Sequence, residues 1–320
     1  GYWTPTIDQS GTVNPDIKKI NISDVAGNSA NVRIMFEWFG AWDYGWQIDD
    51  VMIMEHSAND LELYAGILNM TDGSGGFRDF YGQVPSNQLS DIEYGVGVYN
   101  FGVNQQTNVT STIDVSGAGA FNDSQVYSNT NLDSDSSYVE YHSNWYLPSA
   151  IGEYINTFSV SADYADDNPN DNNKEIKFAV TDSSFAPYYS FDIFDVVGTY
   201  YAPDGFKAAN MLEMLTADEL TSVSLVLYSS TVAGGFVQIS VADTAGFLDD
   251  AATPFIYSEF YTITQADVDA GIVTIPIPTN YNGSAQDRNM GPGAFYVTVE
   301  CFSNNDANPI SLLDDKTYPY

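Results

Sequence analysis

The stretch Asn31-Val-Arg-Ile-Met-Phe-Glu-Trp-Phe-Gly40, continued by Ala-Trp-Asp-Tyr-Gly45 and Trp-Gln-Ile-Asp-Asp-Val-Met-Ile53, predicts a β-hairpin. Alternation with period two places the apolar side chains of its first arm on one face: Val32, Ile34, Phe36 and Trp38. Gly40 to Gly45 supply the turn. The first part of the chain is therefore predicted to be β-structure.

Asp50 breaks the pattern of the second arm. The parity that buries Trp46, Ile48 and Met52 also places Asp50 on the apolar face. A carboxylate there costs several kcal/mol unless hydrogen bonds or a cation satisfy it. Asp50 is therefore either a hydrogen-bonded structural acid or a metal ligand.

The composition is strongly acidic, with a formal net charge of −34 and a pI of about 4.1. Such a field repels nucleic acid and anionic membranes, so neither is expected as a partner. It suits a secreted protein in a medium that contains Ca²⁺, although a solvated acidic surface without a specific ion explains it equally simply. Because 44% of the residues are hydrophobic, the chain can bury real cores.

Cysteine and membrane signals are sparse. The single cysteine, Cys301, excludes an internal disulfide and a thiolate zinc cluster, and the alternation of Tyr296–Phe302 predicts that it is a small buried hydrophobe. No apolar run is long enough to span a bilayer.

Short alternating apolar runs punctuated by Gly, Asn, Asp, Ser and Pro predict an all-β fold of tandem β-sandwiches, jelly-roll and immunoglobulin-like. Three units are predicted: 1–57 as the C-terminal part of a jelly-roll-like sandwich, 58–182 as an immunoglobulin-like sandwich, and 183–320 as a jelly-roll-like sandwich. Residues 208–220 are predicted as a strand followed by a turn, although their helix propensity is high. With about three strands, the first unit leaves an apolar face that needs cover from a longer precursor, the adjacent domain or a neighbouring copy.

The candidate site residues are few. Paired acids that end apolar strands are candidate Ca²⁺ ligands: Asp49, Asp50, Asp314 and Asp315. The loop 163–173 is also dense in oxygen donors, but Asp and Asn satisfy their own backbone in turns, which is the simpler account. Trp42 and Tyr44 either stack on a sugar ring or pack against a neighbour.

Three groups of residues resemble modules of the secreted type IX secretion substrates of Bacteroidota. Phe36-Glu-Trp-Phe-Gly40 with Trp46-Gln-Ile-Asp-Asp-Val51 is similar to the end of a MAM-like or concanavalin-like jelly roll. Val98-Tyr-Asn-Phe-Gly102, Gly152-Glu-Tyr154 and the loop 163–173 resemble a CARDB-like immunoglobulin-type domain, and Gly293–Glu300 resembles a following jelly roll. The resemblance implies Ca²⁺ at the strand-edge acids and, from Asp243-Thr244-Ala245, O-glycosylation of Thr244.

Enzyme motifs are missing. The two histidines, His56 and His142, have no catalytic motif around them and are expected in surface or loop roles. No nucleophile elbow, P-loop or dinucleotide fingerprint occurs. The sequence therefore predicts a non-catalytic extracellular or cell-surface protein, structural, adhesive or filament-forming, with other surface proteins or its own copies as partners. The alternative is a carbohydrate-binding accessory region of a secreted hydrolase.

Overall fold

The computed structural model describes residues 19–37, 48–129, 131–189, 197–202, 204–245 and 254–315. In these ranges the regular structure is almost entirely β, and the strands form two successive sandwiches, which confirms the all-β prediction of tandem sandwiches. No helix in the same ranges is long and apolar enough to cross a membrane.

The first sandwich is built from eleven strands. They are β1 Leu61–Thr71, β2 Phe77–Arg78, β3 Gln83–Pro85, β4 Ile92–Asn100, β5 Gln106–Thr107, β6 Thr110–Gly117, β7 Phe121–Val126, β8 Asn131–Leu132, β9 Ser136–Tyr141, β10 Gly152–Ser161 and β11 Asn173–Thr181. One sheet has the order β2-β1-β4-β9 and the other the order β3-β11-β10-β6-β7. Two short 3₁₀ turns, Ser86–Gln88 and Pro169–Asp171, lie at its ends.

Aromatic rings fill the space between these two sheets. Tyr94 on β4, Tyr154 and Phe158 on β10, and Phe178 on β11 are fully buried. The ring of Phe158 lies against Gly66 of β1, where an added Cβ would come within 2.8 Å of the ring. A glycine at this point of a strand therefore admits a large side chain from the facing sheet.

The second sandwich follows, with strands β12 Val197–Ala202, β13 Phe206–Met214, β14 Asp218–Glu219, β15 Ser222–Val226, β16 Phe236–Asp243, β17 Ile256–Tyr257, β18 Tyr261–Thr262, β19 Ile272–Pro276, β20 Asn280–Tyr281, β21 Ser284–Ala285, β22 Asn289–Met290, β23 Gly293–Phe302 and β24 Ile310–Asp315. Its main sheet has the order β13-β23-β16-β17, and β18 also pairs with β16. The pairs β15-β19 and β12-β24 are joined by a bridge between Leu227 and Leu312. Residues 208–220 were predicted as a strand followed by a turn: 208–214 are in strand β13 as predicted, whereas Asp218–Glu219 form the short strand β14 within the predicted turn.

The second core is aliphatic. Val237, Ile239 and Val241 of β16 pack with buried side chains of β19, β23 and β24. Cys301 is completely buried, as the alternation predicted, and burial raises the pKa of its thiol to about 12. Cys301 is therefore a residue of the second core.

The hairpin predicted for residues 31–53 is wrong where the structure describes it. Neither 31–37 nor 48–53 is a strand, and the one regular element near them is the helical turn α1 Ser23–Ala26. Val32, Ile34 and Phe36 are 43%, 45% and 49% exposed. Alternation of apolar and polar residues specifies a strand only when a neighbouring strand pairs with its backbone and a core buries its apolar side chains. The domain limits at 57 and 182 remain predictions.

Candidate functional site

The four acids predicted as metal ligands lie in two different structural settings. Asp49 and Asp50 are exposed in an irregular segment, where the Asp50 N–H donates to Asp49 Oδ1 at 2.8 Å and Asp50 has a φ of +48°. Placing Asp50 on a buried strand face is therefore wrong, and the cost argument for a cation there no longer applies. Asp314 and Asp315 end β24, where their backbones pair with Gly198 and Val197. Their side chains lie outside the described structure.

Trp42 and Tyr44 also lie outside the described residues. Thr244 is exposed immediately after β16, and the Asp243 carboxylate accepts a hydrogen bond from the Ala245 N–H at 3.0 Å. The hydroxyl of Thr244 is thus accessible on a turn, and its glycosylation remains a prediction.

The acidic loop 163–173 holds one end of the first sandwich together. Asp166 Oδ2 accepts from the Leu61 N–H at 2.8 Å, and Asp167 Oδ2 accepts from the Asn59 N–H at 2.9 Å. The 3₁₀ turn Pro169–Asp171 packs against β1. Asp166 Oδ1 also accepts from the Asn168 N–H at 2.7 Å, which is the turn-forming role that the sequence favoured, but the bonds to Leu61 and Asn59 join the loop to a distant segment.

Other oxygens at this end have no partner among the described residues. Asp60 and Asn172 are 4% and 7% exposed, and the Oδ1 atom of each is buried without a hydrogen bond. The Oδ1 atom of Asp171 is in the same condition. Burial raises the pKa of Asp60 to about 6; Lys19 opposes the rise, and the charges of Asp171, Asp166 and Glu62 add to it. We call Asp60, Glu62, Asp166, Asp171 and Asn172 the acidic recess.

One cation reaches the acidic recess. Lys19 Nζ lies 2.7 Å from Asp171 Oδ2 and 3.6 Å from Glu62 Oε2, and 5.3 Å from the centroid of the Phe101 ring. Burial lowers the pKa of Lys19, but the bond to Asp171 and the surrounding acids raise it above its usual value. Within the described ranges, no three His, Cys, Asp or Glu side chains are placed to hold a metal by themselves.

A serine, a histidine and an aspartate are linked by two successive hydrogen bonds at another edge of the first sandwich. Ser111 Oγ lies 2.8 Å from His142 Nε2, and His142 Nδ1 lies 2.7 Å from Asp123 Oδ2. Asn144 Nδ2 donates to the other oxygen of Asp123 at 2.7 Å. These distances are those of a nucleophile, a base and its orienting acid. His142 was expected in a surface or loop role; it lies in the loop that follows β9 but is buried, 2% exposed.

This trio ties the sandwich together. Ser111 belongs to β6 and Asp123 to β7 in one sheet, whereas His142 directly follows β9 of the other. Ser111 is only 2% exposed, so its hydroxyl lies in the interior of the first sandwich. The hydrogen bonds therefore join the two sheets and satisfy a buried imidazole.

The most extensive polar contact joins the two sandwiches. The side chain of Gln88 is fully buried; its Oε1 accepts from the N–H groups of Leu215 and Thr216 at 2.8 and 3.2 Å, and its Nε2 donates to Thr216 O at 3.0 Å. Thr216 Oγ1 returns a bond to Asn87 O at 2.9 Å. Gln88, which lies in a turn of the first sandwich, thus supplies hydrogen-bond partners to backbone groups of the second sandwich.

Arg78 and Tyr81 extend this junction. Arg78 Nη1 donates to Glu213 O at 3.2 Å, and Tyr81 Oη accepts from the Glu213 N–H at 2.9 Å. Phe185 packs against both hydrophobic cores. A cleft of about 320 Å³ opens beside the contact, lined by Asp72, Arg78, Glu213, Met214, Leu215, Pro292, Gly293 and Ala294.

No protein-family model and no curated protein sequence matches the chain. Among solved structures, the chain is similar to the CARDB domain of a Pyrococcus furiosus protein in complex with di-metal ions, at 17% identity and a TM-score of 0.30 over 42% of this chain and all of that one. A solution structure of the same domain gives 18% identity and a TM-score of 0.28 over 40% of this chain and 99% of that one. The C-terminal globular domain of an oligosaccharyltransferase from Pyrococcus abyssi is 8% identical, with a TM-score of 0.20. The match covers 80% of this chain and 49% of that one. The metal ions and the transferase activity are properties of those proteins.

Proposed function

We propose that this chain is a non-catalytic structural module of an extracellular or cell-surface protein, in which two β-sandwiches are held in one fixed orientation. The observation that carries the proposal is the junction at Gln88. Separating the sandwiches would exchange the hydrogen bonds of this buried side chain to three backbone groups for bonds to water, at a net cost of about 0.5–1.5 kcal/mol each.

The connecting segment supports the same proposal. Gly82 N–H donates to Pro187 O at 3.0 Å, and Gln83 and Ala186 form a β-bridge, so the chain leaving β11 runs along the edge strand β3. A Cβ on Gly82 would lie 2.2 Å from the backbone nitrogen of Tyr189. Residues 186–189, the described part of the connection that makes these contacts, are therefore packed onto the first sandwich.

The setting and partners follow from charge. A formal net charge of −34 disfavours association with nucleic acid and favours a chain that stays dispersed in a saline exterior. We infer that the partners are other surface proteins or further copies of the chain, with the rigid pair acting as a spacer, an adhesive arm or a filament unit.

Small-angle X-ray scattering of the whole chain tests the spacer role. We expect the wild type to scatter as one rigid body, and Gln88→Ala to broaden its distance distribution while circular dichroism keeps both sandwiches folded. Gln105→Ala is the matched control, because Gln105 is exposed and bonds only an exposed aspartate of its own sandwich. A wild type that already scatters as two independent bodies would refute the proposal.

A second candidate, carbohydrate binding, has one observation in its favour. Phe77 and Trp145 are 50% and 48% exposed, and their ring centroids lie 6.4 Å apart. Exposed rings of this kind stack on sugar faces. Titration with soluble polysaccharides should then give binding that Trp145→Ala removes and Tyr164→Ala, an exposed aromatic elsewhere, keeps.

A further inference from the structure

We propose that Asp60, Asp171 and Asn172 form a Ca²⁺ site at the end of the first sandwich, and that the ammonium group of Lys19 competes with the ion for it. The inference is independent of the spacer role. It also differs from the sequence-based assignment, which used Asp49, Asp50, Asp314 and Asp315.

The unpartnered oxygens carry the proposal. Asp60 Oδ1, Asp171 Oδ1 and Asn172 Oδ1 are each removed from solvent and accept no hydrogen bond from the residues that the structure describes, and Asp60 and Asn172 are more than nine-tenths buried. Leaving an acceptor unpaired in the interior is unfavourable, most of all for a carboxylate. A cation would satisfy all three oxygens without a donor hydrogen.

Charge in the acidic recess points the same way. Asp60 feels the negative charges of Asp171, Asp166 and Glu62, and Lys19 is the positive charge that opposes them. Among the described residues, four carboxylates against one ammonium leave an excess of negative charge next to a buried acid. Lys19 engages Asp171 through Oδ2 at 2.7 Å and leaves Oδ1 of the same carboxylate unpaired.

The donor chemistry selects the ion. The three unpartnered atoms are carboxylate and amide oxygens, the ligands that Ca²⁺ takes in irregular loops, with water and main-chain carbonyls completing six to eight positions. Mg²⁺ retains its water and demands an octahedron, so a loop with two carboxylates and an amide suits it less well. Zn²⁺ favours nitrogen and sulfur ligands, which this set lacks.

The geometry also assigns a consequence to binding. Lys19 and Asn21 attach the segment 19–37 to the first sandwich, through Asp171 and through Asp135. A Ca²⁺ ion bound to Asp171 repels the ammonium of Lys19, because both are positive. Ca²⁺ therefore loosens this segment while it stabilises the loop 163–173.

Calorimetric titration of the chelator-treated full chain with CaCl₂ in 0.1 M NaCl tests the site, with melting temperature as a second readout. We expect saturable binding that Asp60→Asn weakens at least about tenfold and Lys19→Met strengthens, since affinity follows the charge of the ligand set. In chelator, Asp60→Asn should melt higher than the wild type because it removes a buried charge, yet it should lose the increase produced by Ca²⁺.

Two control variants separate this site from other acids. Asp182→Asn changes an exposed carboxylate elsewhere and should bind as the wild type does. Asp50→Asn tests the sequence-based assignment. No saturable binding by the wild type, loss of binding in Asp50→Asn with retention in Asp60→Asn, or an unchanged affinity in Lys19→Met would each overturn the proposal.

Discussion

Asp50 and Asp60 are the same residue type but differ in burial, and burial decides which of them is a candidate cation ligand. Parity placed Asp50 in a core, but the strand that would bury it does not form, and its carboxylate is exposed. Asp60 stands one residue before β1 and has no distinguishing pattern, yet it is 4% exposed. What buries Asp60 is a loop that begins about a hundred residues later, so the local sequence could not have identified it.

The same limit applies to His142. Its neighbours in sequence form no motif, whereas its hydrogen-bond partners, Ser111 and Asp123, lie 31 and 19 residues away. Burial favours a raised pKa for Asp123, but hydrogen bonds from Asn144 and His142 outweigh it and hold the pKa below its usual range. The folded state therefore favours the ionised form of this carboxyl.

We predict from this shift a specific loss of stability in acid. A carboxyl whose folded pKa is depressed contributes stability above its unfolded pKa of about 3.9, and the contribution disappears as the pH falls through the folded pKa. Asp123→Asn should consequently have a lower urea midpoint than the wild type at pH 5, and the difference should shrink at pH 3. Asp182→Asn should show no such difference at either pH. A gap for Asp123→Asn that stays constant would show that Asp123 acts through packing alone.

At the scale of elements, alternation is a good guide wherever both a partner strand and a core exist. It is visible in β10 and β16, whose buried positions recur with period two along most of their length, whereas β4 is buried at successive positions. It also favoured a strand over 208–214 against helix propensity, and pairing of β13 with β23 explains why the strand wins.

The helix α2, Gln265–Ala270, was missed although its signal is present. Thr264 Oγ1 accepts from the Asp267 N–H at 3.3 Å, and the Thr264 N–H donates to Asp267 Oδ2 at 2.8 Å, which is a capping box. Gly271 ends the helix with a φ of +69°. The sequence Thr264-Gln-Ala-Asp267, followed by Gly271, carries this information.

We predict that the cap stabilises the second sandwich. Thr264→Ala removes the hydroxyl that accepts from Asp267 N–H and should lower the free energy of unfolding by about 1 kcal/mol. Thr264→Ser keeps the hydroxyl and should remain close to the wild type. Urea denaturation of both variants measures the effect, and equal losses in the two would mean that the methyl group of Thr264 matters and its hydroxyl does not.

For the whole molecule, composition indicated a folded acidic chain, and strand spacing indicated successive sandwiches. The contact between the sandwiches could not be predicted, because Gln88 and Thr216 are 128 positions apart and neither belongs to a periodic pattern. Gln88 follows strand β3 within a 3₁₀ turn, a place where the sequence predicts only an exposed polar loop. Long-range polar complementarity of this kind becomes visible only in the folded chain.

The charge of the whole molecule leads to the last prediction. With 43 acidic and 9 basic residues, repulsion between carboxylates opposes the compact state. The screening length shortens from about 30 Å at 0.01 M salt to about 10 Å at 0.1 M, so the melting temperature should rise over that range of NaCl. CaCl₂ at the same ionic strength should raise it further in the wild type but no further than NaCl does in Asp60→Asn, because only a bound ion adds to screening. A melting temperature that falls with NaCl would mean that attractive pairs, such as Lys19 with Asp171, outweigh the repulsion among the carboxylates.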